Sequence, residues 1–221
     1  METDNSLKVS CVPLHSDMEI KDRILQSALT LFTRNGIKSV SMDDIASDLG
    51  ISKKTLYKWF DNKDDLVSGV IGGHLHCVQG ESEGIAGEAE NAVDEMVRMM
   101  EWAQRQFSEV NPNTIHDLRK YYPAAWQLFH DHKNKYILTQ IQDNLRRGIA
   151  EGLYRTDLDV EVLSRLRLAQ IDILFDADIF PHVQFGQPRV QLACNEHFLL
   201  GMVTLKGHKL INEYRQITEE E

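Results

Sequence analysis

The chain has 221 residues, 42% of them hydrophobic and 26% charged, with a formal net charge of −10; this balance fits a soluble globular protein with a sizeable core. Charges interrupt every apolar run before the roughly 18 residues that a membrane span needs, and residues 1–17 lack the apolar centre of a signal peptide, so no membrane partner and a cytoplasmic location are expected. The three cysteines, Cys11, Cys77 and Cys194, are too widely spaced for a metal knuckle and read as reduced thiols.

Apolar residues recur at helical spacing along the chain, with no alternating strand pattern, internal repeat or low-complexity tract. An all-α protein of about nine helices is expected. Residues 1–17, mixed and polar around Pro13, read as a disordered arm. The first helix is expected from about Met18 to Asn35, with Ile20, Ile24, Leu25, Ala28, Leu31 and Phe32 along one face and Gly36 as a left-handed C-cap. Ser41 and Asp44 have capping-box spacing and open a short helix to Leu49. Gly50 permits a tight turn, and Ser52 caps a second short helix from Lys53 to Phe60. Asn62 caps a longer helix whose first turn holds Asp64 and Asp65, matched to the helix dipole. The glycine-containing stretch 80–87 reads as a break. Further helices are expected at about 88–110, 113–121, 123–152, 159–179 and 188–215.

Two short helices joined by a glycine turn and braced by a longer amphipathic one make a helix-turn-helix arrangement. At about 100° per residue, Leu56 and Phe60 share an anchoring face, while Lys54 and Lys58 point the opposite way with Thr55 beside them. Tyr57 and Trp59 flank the anchor, and exposed aromatics on so small a helix call for a cover such as DNA. Acids and bases balance between Met18 and Ser68, and Ser52 to Phe60 holds three lysines and no acid. A lysine cluster alone is more often a solvated face. Combined with Ser41, Gly50, Ser52, Leu56, Tyr57, Phe60 and Lys63 at their spacings, it points to a helix that enters the major groove.

The strings ILQSALTLFTRNG (24–36) and SVSMDDIASDLGISKKTLYKWFDNKDDLV (39–67) resemble the DNA-binding domain of TetR-family transcriptional regulators, over roughly the first third of the chain. The resemblance implies a helix-turn-helix DNA-binding domain at 18–66 and a helical effector-binding and dimerisation domain at 67–221. It implies Lys53, Lys54, Thr55 and Tyr57 at or near base edges, and Ser41, Ser52, Lys58, Trp59 and Lys63 on the phosphate backbone. It also implies a ligand-responsive repressor that binds a palindromic double-stranded DNA operator as a homodimer, with an unidentified small-molecule effector, no cofactor and no metal.

Trp102, Tyr122, Trp126 and Phe129 are candidates for contact with that effector, although such a Met and aromatic stripe is more often plain core. Val160, Leu163, Leu166, Ile171, Leu174 and Phe175, and Phe198, Leu199, Leu200, Met202, Val203 and Leu205, are apolar over more than one helix face. They suit either pairing or an intrachain core. Two rival functions remain. His116-Asp117 and His130-Asp131-His132 suggest an all-helical metal phosphohydrolase, but residues two apart on a helix face different ways. The other rival is a helical small-molecule-binding protein whose helix-turn-helix does not touch DNA.

Overall fold

The computed structural model describes residues 19–214 other than 108, 109, 112, 175, 177, 182 and 183. The arm expected at 1–17 lies outside the described residues, as do Cys11 and Phe175. The helices are α1 (Ile20–Asn35), α2 (Met42–Asp48), α3 (Lys53–Leu56), α4 (Lys63–Glu88), α5 (Ala92–Phe107), α6 (Asn113–Tyr121), α7 (Pro123–His132), α8 (Leu138–Ala150), α9 (Val160–Ile173), α10 (Gln187–Met202) and α11 (Leu205–Tyr214), with a π-helical turn, Lys133–Ile137, joining α7 to α8. The fold is all-α. No helix among the described residues is long and apolar enough to cross a membrane.

The chain divides into two compact units, Met1–Glu81 with Glu109–His130, and Ser82–Ser108 with Asp131–Glu221. In the first unit, Ile24, Ala28 and Phe32 of α1 pack with Ile45 and Ala46 of α2, Leu56 of α3, and Leu66, Val67 and Val70 of α4. Leu118 of α6, Tyr122 between α6 and α7, and Ala125 of α7 complete the same core. The last turn of α1 leaves backbone carbonyls without helical partners. Distant residues occupy two of them, the Asn111 N–H donating to Thr33 O at 2.8 Å and Asn111 Nδ2 to Arg34 O at 3.1 Å, while Thr114 Oγ1 donates at 3.0 Å to Phe32 O, which also accepts the Gly36 N–H.

In the second unit, Ala92, Val93, Met96, Val97 and Met100 of α5 pack with Leu145 of α8, Phe198, Leu199 and Met202 of α10, and Ile211 of α11. A buried polar knot holds α5 to α8. Tyr154 Oη lies 2.8 Å from Ala92 O and 3.0 Å from Asn144 Oδ1. Arg147 donates to Glu95 and Glu151 at 3.1 and 2.8 Å, and Glu151 in turn accepts from the Ala92 N–H at 2.8 Å. Gly148 is required here, because a Cβ at that position would stand 2.1 Å from the Tyr154 ring. Burial pushes the Tyr154 phenol far up and keeps it a neutral hydrogen-bond donor.

Three of the boundaries that differ from expectation have a clear physical cause, while the helix expected at 159–179 ends at Ile173. The helix after Asn62 continues through residues 80–87 to Glu88, since glycine weakens a helix without forbidding it. Among the described glycines only Gly36, Gly50 and Gly152 have positive φ. The expected helix at 188–215 is broken after Met202, where Val203 pairs with Tyr154 and the Thr204 N–H donates to Leu153 O at 2.9 Å. Recruited by this external backbone, Val203 and Thr204 cannot continue the helical ladder. The helix expected over Lys53 to Phe60 is α-helical only to Leu56, and its end tightens into three-residue turns, with Trp59 N–H donating to Leu56 O at 3.0 Å.

Candidate nucleic-acid interface

Short-range caps build the reading element. Ser41 Oγ accepts from the Asp44 N–H at 3.2 Å, and the Asp44 carboxylate accepts from the Ser41 N–H at 2.8 Å, which closes the capping box of α2. Hydrogen bonds from Ser41 hold the Asp44 carboxyl below its usual range. At the other end of α2, Gly50 adopts φ 63°, its N–H donates to Ser47 O at 3.1 Å, and Ile51 N–H donates to Ala46 O at 3.0 Å. That pair of bonds is a Schellman motif, and it reverses the chain within two residues. Ser52 then caps α3 by accepting from the Thr55 N–H at 3.1 Å.

The result is a two-sided element. Leu56 and Phe60 are buried in the core of the first unit, while Tyr57 is 48% and Trp59 40% exposed. Ser41, Ser52, Lys53, Lys54 and Lys58 are exposed, and Thr55 is half-buried beside them. Lys53 Nζ lies 2.6 Å from Asp43 Oδ2 in an exposed ion pair, a contact of small net energy that a phosphate can replace.

Lys63 is placed differently from these eight. It is half-buried, and its Nζ donates to Ile37 O at 2.6 Å and to Lys38 O at 3.4 Å, 5.7 Å from the centre of the Tyr122 ring. Burial lowers its pKa, against the attraction of Asp117, Asp64 and Asp44. Of its three N–H donors, two are engaged inside the protein. Nothing local in the sequence marks Asp117 as a partner of this turn, yet its buried carboxylate accepts from the Lys38 N–H at 2.8 Å across 79 residues.

Tyr122, Trp126 and Phe129 belong to the first unit. Tyr122 is buried in its core, and Trp126 and Phe129, with ring centroids 5.5 Å apart, pack against that core. Trp102 is half-buried on α5 in the second unit. On α7, His130 is exposed and His132 is half-buried against Tyr136, with ring centroids 5.0 Å apart. Among the described residues no group of three or more His, Cys, Asp or Glu is arranged to hold a metal ion.

Residues 24–70 match the model of the family described as bacterial regulatory proteins, tetR family. The chain carries that family's segment over residues 24–70. It is a DNA-binding transcriptional regulator. Over 154 residues it is 27% identical to the HTH-type transcriptional repressor KstR2 of Mycolicibacterium smegmatis, covering 66% of this chain and 72% of that repressor. A TetR-family regulator from Agrobacterium tumefaciens shares the fold with a TM-score of 0.70 at 17% identity, over 83% of this chain and 97% of that one. A transcriptional regulator from Saccharomonospora viridis, solved in complex with choline, shares it with a TM-score of 0.69 at 21% identity, over 83% of this chain and 97% of the other.

Proposed function

We propose that this TetR-family regulator is a ligand-responsive repressor whose α3, with the turn after it, enters the major groove of a palindromic operator. Lys53, Lys54, Thr55 and Tyr57 read base edges, and Ser41, Ser52, Lys58 and Trp59 hold phosphates, so that backbone contacts set register and base contacts set sequence. Lys63 contributes through the one N–H not engaged by the protein. The observation that carries this reading is the two-sidedness of α3: Leu56 and Phe60 are buried while Lys54, Tyr57, Lys58 and Trp59 face solvent.

One short helix reads few base pairs, so a homodimer supplies the second copy. Supporting that state, Val162 and Leu166 of α9 and Leu192 and Leu200 of α10 are large apolar residues left exposed, more than scattered surface residues would leave on two helices. The division of labour is DNA reading by 18–66, and effector binding and dimerisation by 67–221. Trp102 in the second unit, and Tyr122, Trp126 and Phe129 in the first, are each candidates for effector contact; an effector that favours a conformer with mismatched spacing of the reading helices weakens DNA binding, and DNA weakens effector binding by the same factor. The reading assigns the chain a cytoplasmic location and no catalytic step.

Selection of bound sequences from random duplex DNA, with and without a metabolite pool, tests all of this together. Enrichment of a palindrome, lost with the pool, is expected. An enriched pool no different from the input overturns the reading.

A further inference from the structure

A second cationic surface lies on the first unit outside α3. The turn that receives the Lys63 ammonium on its carbonyls sends the Lys38 side chain outward. There, Lys38 Nζ lies 3.3 Å from Tyr121 Oη and 4.8 Å from the centre of its ring. Lys120 Nζ stands 5.3 Å from the same ring centre. Lys38, Lys120 and Tyr121 are all exposed. Asp117, the acid on the same helix, is buried with Oδ2 taken by the Lys38 N–H.

We propose that Lys38, Lys120 and Tyr121 form a second phosphate-binding surface, which takes the sugar-phosphate backbone of duplex DNA beyond the bases read by α3. The inference rests on the DNA-binding reading and adds to it contacts from α6 and from the turn before α2. Three observations carry it. Lys38 lies three residues before Ser41, so the patch runs continuously into the capped start of α2. The Lys38 backbone is fixed from two sides, by Asp117 and by Lys63, which reduces the ordering cost when its side chain engages a partner. An exposed tyrosine ring with two ammonium groups 4.8 and 5.3 Å from its centre is a cationic spot at the surface, and on a chain of net charge −10 such a spot attracts polyanion locally. The neighbouring lysines also pull the Tyr121 phenol below its ordinary pKa, as a positive local potential does.

The test is the salt dependence of binding to a labelled duplex of random sequence, followed by anisotropy between 50 and 200 mM salt. Removing one lysine–phosphate interaction flattens the plot of log K against log salt by about 0.9. The double variant K38Q/K120Q is expected to reduce the slope by about 1.8, and K120Q alone by about 0.9. The charge-keeping K38R/K120R should hold the original slope, and so should K209Q, altered on α11. Thermal midpoints confirm that each variant is folded, and K120Q, changed at one exposed position, decides the matter if the double variant is not. Should the unaltered protein fail to bind any duplex, the DNA-binding reading fails with it. Binding by the unaltered protein with an unchanged slope in K38Q/K120Q and K120Q overturns this proposal alone.

Discussion

The Lys63 ammonium donates a 2.6 Å hydrogen bond to the carbonyl of Ile37, tying the start of α4 to the turn between α1 and α2. A hydrogen bond from a charged donor contributes about 1.5–3 kcal/mol. Lys63→Met should therefore destabilise the fold by about 1–3 kcal/mol, read as a drop of several degrees in thermal midpoint. An unchanged midpoint with a flatter salt dependence of DNA binding would show that the ammonium serves phosphate alone.

Tyr57 and Lys58 are neighbours with different proposed tasks, one at a base edge and one on a phosphate. Both are exposed, so neither substitution to alanine should move stability by more than about 0.5 kcal/mol. Tyr57→Ala should narrow the affinity gap between an operator and its scrambled copy. Lys58→Ala should weaken both equally and reduce the salt slope by about 0.9. Binding titrations against the two duplexes separate the cases, and identical behaviour of the two variants counts against the assignment.

Asp44 sets a limit on acid stability. Its carboxyl titrates below the unfolded value of 3.8 because Ser41 donates to the ionised form. The folded state thus binds fewer protons than the unfolded state between the two pKa values, and its stability falls as pH drops through that window. The contribution is fully present above the unfolded value. A side-chain NMR titration should place the Asp44 midpoint below 3.8, and Asp44→Asn should remove this part of the acid dependence. A midpoint at or above the unfolded value contradicts the capping geometry.

Gly148 and Tyr154 pack so closely that no atom can be added between them, since a Cβ would meet the ring at 2.1 Å. Overpacking typically costs about 1–3 kcal/mol and more where nothing can yield, and the Tyr154 ring is held by its buried hydroxyl. Tyr154→Phe gives up hydrogen bonding, at about 1–2 kcal/mol. Denaturant titration should rank Gly148→Ala as the more damaging of the two. The reverse order would mean that the ring moves aside easily.

The reading element was legible because its signals are local. Ser41 with Asp44, Gly50 after Leu49, and Ser52 before Lys53 each specify their own turn within a few residues, and the burial of Leu56 and Phe60 follows from helical spacing. The polarity of Tyr57, Lys58 and Trp59 follows from the same spacing. Features that depend on distant chain were not legible. The inward turn of Lys63 needs the carbonyl of Ile37 beside it, and the role of Asp117 needs a backbone 79 residues earlier. The break at Val203 comes from pairing with Tyr154, while Gly80 and Gly84 stay helical because no positive φ is required of them. The sequence shows Tyr122 only as one member of an aromatic stripe; its place in the core of the first unit depends on how α6 and α7 pack with α1.

Asn111 and Thr114, which close the end of α1, lie far downstream of it in the chain, so this DNA-reading head is not a contiguous, portable cassette. A chimera that fuses residues 19–81 to a foreign effector module would leave the Thr33 and Arg34 carbonyls open and a gap where Leu118, Tyr122 and Ala125 belong. Swapping operator specificity between regulators of this kind is better done by transplanting the α2–α3 surface alone, leaving the downstream lock in its native host.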